Sequence, residues 1–193
     1  MGLTTKQIAA AETNEALFRL LLEELARLFP PSFSENTAAF LAALRTAPQG
    51  MRAMSAIYEL DVSMALDDLA WHFVNHHDAR LYEETRLGLH ELEAHEAAVL
   101  FEKAYAITAP RWDELGTVLQ KLQGGEIHGW LDSTGIQQQI DPLNREMWRL
   151  KNQNREYGLI GYWLSYARSH PERCVGGESP TKGGNRPLPD EAK

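Results

Sequence analysis

The chain contains only one cysteine, Cys174, among its 193 residues. A single cysteine excludes an internal disulfide framework and a zinc site built from several thiolates. It is also typical of a protein kept in a reducing compartment. No segment approaches the roughly 18 consecutive apolar residues of a membrane-spanning helix, and the start of the chain has no signal-peptide pattern. We therefore predict a soluble, cytoplasmic protein without a membrane partner.

Motifs of catalytic and nucleotide-binding loops are also missing. The chain contains no Gly-x-Ser-x-Gly motif, no P-loop and no dinucleotide-binding fingerprint. His170 precedes Cys174 by four residues, but the sequence offers no third group to orient such a pair for nucleophilic catalysis. The sequence therefore predicts no catalytic residue and no cofactor, and it favours a protein that is not an enzyme.

The alternation of apolar and polar residues that marks β-strands is absent as well. Apolar residues instead recur at helical spacing along almost the whole chain, and proline or glycine pairs stand where the pattern stops. This periodicity predicts a single all-α domain of seven to eight helices over residues 1–170. One long helix is expected at about 50–77, with Asp61 or Ser63 as its candidate break.

Two further features concern boundaries. Asp141-Pro142 has the residues of a helix cap and first turn, and it is expected to open a helix over 142–153. Residues 171–193 contain four glycines and four prolines, a composition that is typical of disorder. We therefore predict a flexible, disordered C-terminal tail over 171–193.

Basic residues are scarce in the middle of the chain, where acidic residues are abundant. Residues 56–107 hold eleven Asp and Glu but only three Arg and Lys. The difference is −8, which equals the formal net charge of the whole protein. The sequence pI of about 5.4 argues against the basic face of a nucleic-acid-binding protein, and we predict no direct contact with nucleic acid. The acidic block favours either a surface for a basic partner or a carboxylate–imidazole metal site.

The acidic surface is the first of these hypotheses. Carboxylates held on rigid helices can imitate the phosphates of duplex DNA, which carries one charge per about 1.7 Å of its axis. Trp71 lies off the apolar stripe of its helix, and an apolar ring among polar residues suggests an interface with a partner or with a second copy in a homodimer. A solvated helix face is the simpler interpretation of the same residues. The predicted partner-binding residues are Asp67, Asp68, Trp71, Glu83, Glu84 and Glu91.

The metal site is the second hypothesis. Asp68, His72 and His76 are spaced four residues apart, so on a continuous helix they lie along one face. A divalent metal can accept two imidazoles and a carboxylate from such a row. The zincin motif is not matched, because Phe73 follows the first histidine where that motif has glutamate. The alternative is a solvated helix end, where the partial negative charge of the helix C-terminus favours histidine.

Two segments, 73–107 and 141–174, are similar to a known family. The first contains an aromatic-x-Asn step followed by a Tyr/Leu-rich helix, and the second contains a Tyr-x-Arg-x-His-Pro-Glu step. They resemble a bacterial all-α family of acidic proteins, classed as a domain of unknown function, whose best-known member is a DNA mimic. The family's Asn-Gly-Gly-Phe motif has two aspartates in place of its glycines here. The residues concerned are Phe73-Val74-Asn75, 81–92, 166–172 and, for the glycine motif, Leu66-Asp67-Asp68-Leu69.

The resemblance implies an all-α, dimeric protein that binds a DNA-binding protein by presenting carboxylates where phosphates would sit. Together with the charge pattern, it favours a non-enzymatic, DNA-mimic-like interaction protein whose partner is a basic protein or regulator. Two alternatives stay open. One is a metal-dependent enzyme centred on the His/Asp row, and the other is an immunity-type inhibitor of a toxin, which uses the same electrostatics on another target.

Overall fold

The structure is a computed structural model that describes residues 2–30, 37–153 and 157–176. Within these ranges the chain forms α-helices and no β-strand, which confirms the predicted all-α class. The described helices outnumber the predicted seven to eight, because caps and turns divide the chain at more places than the apolar spacing reveals. The helices are α1 (Thr5–Ala10), α2 (Asn14–Leu28), α3 (Thr37–Thr46), α4 (Gln49–Leu66), α5 (Leu69–Asn75), α6 (Ala79–Glu91), α7 (His95–Thr108), α8 (Trp112–Lys121), α9 (Gly124–Ser133), α10 (Ile136–Gln153) and α11 (Gly161–Ser169).

Helix α4 forms the centre of the domain. Ten of its residues are buried, and α2, α3, α5, α6 and α11 all contact it. Helix α6 approaches it closely because Gly88 has no side chain: a Cβ at this position would lie 3.0 Å from the carbonyl oxygen of Ala53. This contact holds Glu84 and Glu91 of α6 against the N-terminal half of α4.

A second group of helices packs on the far side of α5. Helices α5, α7 and α10 contact one another, and an aromatic cluster fills the space between α5, α7 and α8. The ring centroids of Phe73 and Phe101 lie 5.4 Å apart, and those of Tyr105 and Trp112 lie 5.2 Å apart. The cluster fixes the short helix α5 between α4 and α7.

The helix predicted over 50–77 is two helices in the structure. Helix α4 runs on through Asp61 and Ser63, so neither residue is the break. Helix α4 ends at Leu66, and α5 begins after Asp68. The backbone of Asp68 is extended (φ −150°, ψ −174°), and its side chain accepts a hydrogen bond from the Trp71 N–H at 2.9 Å. This is the geometry of an N-cap, so a capping aspartate divides α4 from α5.

Asp141-Pro142 does not open a helix. Helix α10 begins at Ile136 and carries Pro142 in its interior. Gly135, which precedes it, has a φ of +73°, a left-handed conformation that glycine adopts without strain. The turn at this glycine separates α9 from α10 and starts the helix earlier than the aspartate–proline pair predicts.

The first residues of the predicted tail pack against the domain. Cys174 is fully buried, and Arg173 Nη1 lies 2.7 Å from Glu91 Oε1. Residues 171–176 therefore belong with the domain that was predicted to end at 170. The predicted disorder of 177–193 lies outside the described residues. Among the helices that the structure describes, none is both long and apolar enough to cross a bilayer.

Candidate functional site

The turn between α4 and α5 brings three of the predicted partner-binding residues to one surface. We call Leu66, Asp67, Asp68 and Trp71 the junction. Leu66 is 77% exposed, the highest value among the exposed large hydrophobic residues described. Asp67 is also exposed, and its carboxylate has no hydrogen-bond or ion-pair partner within the described part of the chain. The junction thus presents an apolar side chain beside an uncompensated negative charge.

Asp68 adds a second carboxylate to the junction and is linked to a third on α10. The side-chain amide of Gln137 donates to Asp68 Oδ2 at 2.7 Å and to Asp141 Oδ1 at 3.0 Å. This amide therefore holds the two carboxylates near each other. Trp148 extends the surface along α10: it is 37% exposed, and its indole N–H donates to the carbonyl of Met64 at 3.0 Å.

Trp71 is not the unattached aromatic ring that its sequence position suggests. Its indole N–H donates to Nδ1 of His128 at 3.3 Å, and the two ring centroids lie 4.7 Å apart. The side chain is half-buried and packs against the core. Trp71 therefore joins α5 to α9 and contributes only part of its surface to the junction. Its contact with a partner stays a prediction.

Two of the predicted residues on α6 lie in salt bridges. Glu84 accepts two hydrogen bonds from the guanidinium of Arg52 on α4, each at 2.6 Å. Glu83 is bonded in the same bidentate manner to Arg86, at 2.8 and 2.7 Å. Paired donors of this kind are among the strongest hydrogen bonds to carboxylates. The negative charge at both positions is therefore compensated within the protein.

The third predicted residue on α6, Glu91, lies in a hydrogen-bond network. It accepts from the amide of Gln49 at 2.6 Å, from Arg173 at 2.7 Å and from the hydroxyl of Tyr166. Residues from outside 56–107 thus neutralise part of the excess negative charge of that segment. In the described structure, α6 therefore presents no continuous row of uncompensated carboxylates. Two further acids of this segment form ion pairs with bases on α10: Asp61 with Lys151 and Glu96 with Arg149.

The structure does not bring Asp68, His72 and His76 together as a metal site. Asp68 is the N-cap of α5 and His76 is the C-cap at its other end. The predicted alignment assumes one continuous helix, and the extended backbone of Asp68 turns its carboxylate back to the Trp71 N–H and to Gln137. Of the residues described, no group of three or more His, Cys, Asp or Glu side chains could hold a metal ion. The described structure therefore does not assemble these three side chains into one site, and metal binding by them stays a prediction.

His72 and His76 nevertheless stay close to each other, with ring centroids 4.7 Å apart. His72 is buried, and its Nδ1 lies 3.0 Å from the hydroxyl oxygen of Ser63. Burial holds the pKa of His72 well below its usual range, and the neighbouring His76 adds to this effect. Burial also lowers the pKa of His76. Both imidazoles are therefore neutral at neutral pH.

A cleft of about 440 Å³ opens beside His76. Glu59 of α4 stands in its wall, with Oε2 3.9 Å from Nε2 of His76 and with 41% of its side chain exposed. Burial raises the pKa of the Glu59 carboxyl. Apolar residues supply most of the remaining wall, including Leu25, Phe29, Phe40 and Leu81.

Cys174 is packed as a structural residue. Its Sγ lies 3.6 Å from the carbonyl oxygen of His170, a backbone contact. Burial raises the pKa of the Cys174 thiol to about 12. A thiol with this pKa forms almost no thiolate at neutral pH, and the thiolate is the nucleophilic form.

Sequence reasoning did not find the cleft or the position of Glu59. In the sequence, Glu59 is only one acid among the eleven of 56–107. One local feature of the sequence could have drawn attention to Glu59: it is a charged residue in the long, mostly apolar stretch that forms α4, one helical turn after Ser55.

Comparison with known proteins identifies no relative. No family model, no curated protein sequence and no solved structure matches the chain. Function is therefore inferred from the geometry and charge of the residues described above.

Proposed function

We propose that this protein is a non-enzymatic interaction protein that binds a basic partner through the junction. The observation that carries the proposal is Leu66, which is 77% exposed beside the carboxylate of Asp67. An exposed apolar side chain next to fixed negative charge suits a partner surface that carries both basic and apolar side chains. A basic amphipathic helix has this chemistry.

The rigidity of the junction supports the proposal. The backbone N–H of Leu69 donates to Oδ1 of Asn144 at 3.0 Å, so the first turn of α5 is anchored to α10. The carboxylate of Asp68 is held by the Trp71 N–H and by Gln137. A surface that is already ordered loses little conformational entropy when it binds.

We place the partner at the junction and not on Glu83, Glu84 and Glu91. Each of these carboxylates already bonds an arginine of the protein itself. A basic partner would have to replace those bonds or share them, and the net gain in binding free energy would be small. Asp67 needs no such exchange.

The resemblance to the acidic family supports a DNA-binding regulator as the partner. Asp67 and Asp68, which stand where that family has glycines, belong to the junction, so this chain would present carboxylates where the family has only backbone. An immunity-type inhibitor of a toxin relies on the same electrostatics, and the identity of the basic partner separates the two hypotheses.

A second copy of the chain is a weaker candidate for the junction. A two-fold symmetric contact there would bring Asp67 close to its own symmetry mate, and like charges repel. The homodimer therefore remains an alternative, which sedimentation of the free protein measures directly. No observation on the described residues favours the metal-dependent enzyme.

A labelled amphipathic peptide of lysine and leucine provides a defined basic probe. We expect fluorescence anisotropy to show binding that weakens several-fold when salt is raised from about 0.05 M to about 0.3 M, because salt screens exposed charges. Asp67→Asn and Leu66→Ser should each weaken binding at low salt by roughly threefold or more. Asp67→Asn should also reduce the dependence on salt.

The matched control is Asp113→Asn, which removes an exposed carboxylate on α8 outside the junction. This variant should bind the peptide as the wild type does. Equal losses in Asp113→Asn and Asp67→Asn would show that only net charge matters. That result, or a wild-type protein that does not bind the peptide, would contradict the proposal.

A further inference from the structure

We infer that the cleft beside Glu59 binds a small organic cation, in which an ammonium group is joined to an apolar or aromatic body. The cleft lies between α2, α3, α4 and the turn from α5 to α6. Its residues are different from those of the junction, so the inference does not depend on the proposed partner. At the rim, Pro30 and Thr37 flank residues 31–36, which are outside the described ranges.

The carboxylate of Glu59 favours a positively charged ligand. Unlike the carboxylates of α6, it has no arginine or lysine partner in the described structure, and the basic group in contact with it there is the imidazole of His76 at 3.9 Å. Burial lowers the pKa of His76, so this imidazole is neutral at neutral pH and supplies no counter-charge. Glu84, which lines a small separate cavity together with Glu59 and His76, is already bonded to Arg52. A ligand ammonium would therefore meet a carboxylate that lacks a cation.

The position of Glu59 makes it reachable from solvent. Its side chain is 41% exposed, and the cleft in front of it is open to the surface of the protein. Ser55, one helical turn earlier on α4, also lines the cleft, and its hydroxyl has no hydrogen-bond partner among the residues described. The carboxylate and the hydroxyl together offer two polar contacts to an ammonium group.

The remaining wall suits the body of such a ligand. Tyr58 is 38% exposed next to Glu59, and the rings of Phe29 and Phe40 meet edge to face with centroids 5.6 Å apart. Aromatic faces attract cations as well as apolar groups. The volume of about 440 Å³ lies within the range of small-molecule sites, about 300–1,000 Å³.

Three probes that share a naphthyl group and differ in charge test the inference: naphthylethylammonium, naphthylethanol and naphthylacetate. Isothermal titration calorimetry of the full chain should give the tightest binding for the ammonium, by roughly tenfold over the alcohol, and the weakest for the acetate. Glu59→Gln keeps the size of the side chain and removes its charge. It should weaken ammonium binding roughly tenfold and leave alcohol binding unchanged.

Two further variants complete the test. Glu12→Gln removes an exposed carboxylate outside the cleft and should leave all three affinities unchanged. Ala26→Trp fills the cleft from an exposed position on α2 and should abolish binding of both the ammonium and the alcohol, with helicity and thermal unfolding confirming that each variant is folded. Equal binding of ammonium and alcohol, undiminished ammonium binding by Glu59→Gln, or no ammonium binding by the folded wild type would overturn the inference.

Discussion

His72 is the buried titratable residue with the clearest consequence for stability. Its side chain is 3% exposed, and its ring meets those of Phe73 and Phe101 edge to face, with centroids 5.7 and 5.6 Å away. In the described structure the hydroxyl of Ser63 is the only hydrogen-bond partner of the ring. The folded protein therefore keeps the imidazole neutral, with a pKa well below the ordinary value of 6.5.

We predict that acid destabilises the protein through His72. Because its pKa is lower in the folded state, the stabilisation is complete above pH 6.5 and is lost as the pH falls towards the folded-state pKa, where the unfolded chain binds more protons. The free energy of unfolding should fall by up to about 1.4 kcal/mol per pH unit for this proton. Urea unfolding of the wild type and of His72→Phe at several pH values below 6.5 measures the difference in slope.

Two neighbours affect this measurement in known directions. His76 adds to the slope, because burial lowers its pKa too. Glu59 acts oppositely, because burial raises its pKa and its protonation as the pH falls then favours the folded state. The wild type and His72→Phe both carry Glu59, so the difference between their slopes reports on His72. Ser63→Ala keeps the imidazole buried and should keep most of the slope. Parallel stability curves for the wild type and His72→Phe would refute the assignment.

The pair formed by Arg52 and Glu84 gives a second prediction. Arg52→Ala leaves a carboxylate whose side chain is only 12% exposed without its bidentate partner, and we expect a loss of about 1–3 kcal/mol in the free energy of unfolding. The matched control is Arg19→Ala, which breaks an exposed pair with Glu15 and should cost less than about 0.5 kcal/mol. Similar losses in urea unfolding of both variants would contradict the importance of the Arg52 pair.

At the scale of helices, the contact between α4 and α6 holds the centre of the domain together. Gly88→Ala would place a Cβ 3.0 Å from the carbonyl oxygen and 3.2 Å from the Cα of Ala53, and backbone atoms cannot move aside as a flexible side chain can. We predict a loss of about 1–3 kcal/mol in the free energy of unfolding, measured by urea unfolding.

Gly129→Ala on α9 is the control for this prediction. A Cβ at Gly129 meets no atom within 4 Å, and alanine is the better helix former by about 1 kcal/mol. Gly129→Ala should therefore leave stability unchanged or raise it. A Gly88→Ala protein as stable as the wild type would show that α4 and α6 can separate at little cost.

The helical class and several boundaries could be predicted from the sequence because their causes are local. The leucines of α2 recur at helical spacing, and Pro30-Pro31 marks the end of that pattern. The break between α4 and α5 was expected at Asp61 or Ser63 and not at its true position, because Asp68 has two interpretations in a sequence. An aspartate at this position can be a solvent-facing residue on one continuous helix, or it can be the N-cap of a new helix. Contacts with α10, 69 and 75 residues away along the chain, favour the cap.

At the scale of the whole molecule, the charge count of 56–107 does not describe the surface. Arg173 bonds Glu91 across 82 residues of sequence, and Arg52 bonds Glu84 across 32. No count within a window can include such partners, so the α6 carboxylates could be identified as acidic but not as compensated. The junction was the more predictable part of the site, because Asp67 and Asp68 are adjacent and have no basic residue near them in sequence.

The most direct test of partner binding at the junction is to map the lysine–leucine peptide onto the backbone amide NMR spectrum of the isotope-labelled protein. We predict that the largest shift changes occur at residues 66–71, with smaller ones at 137–148, and that added salt reverses them. Changes that are largest on α6 around Glu83 and Glu91, or a spectrum that the peptide leaves unchanged, would contradict the assignment of the junction as the binding surface.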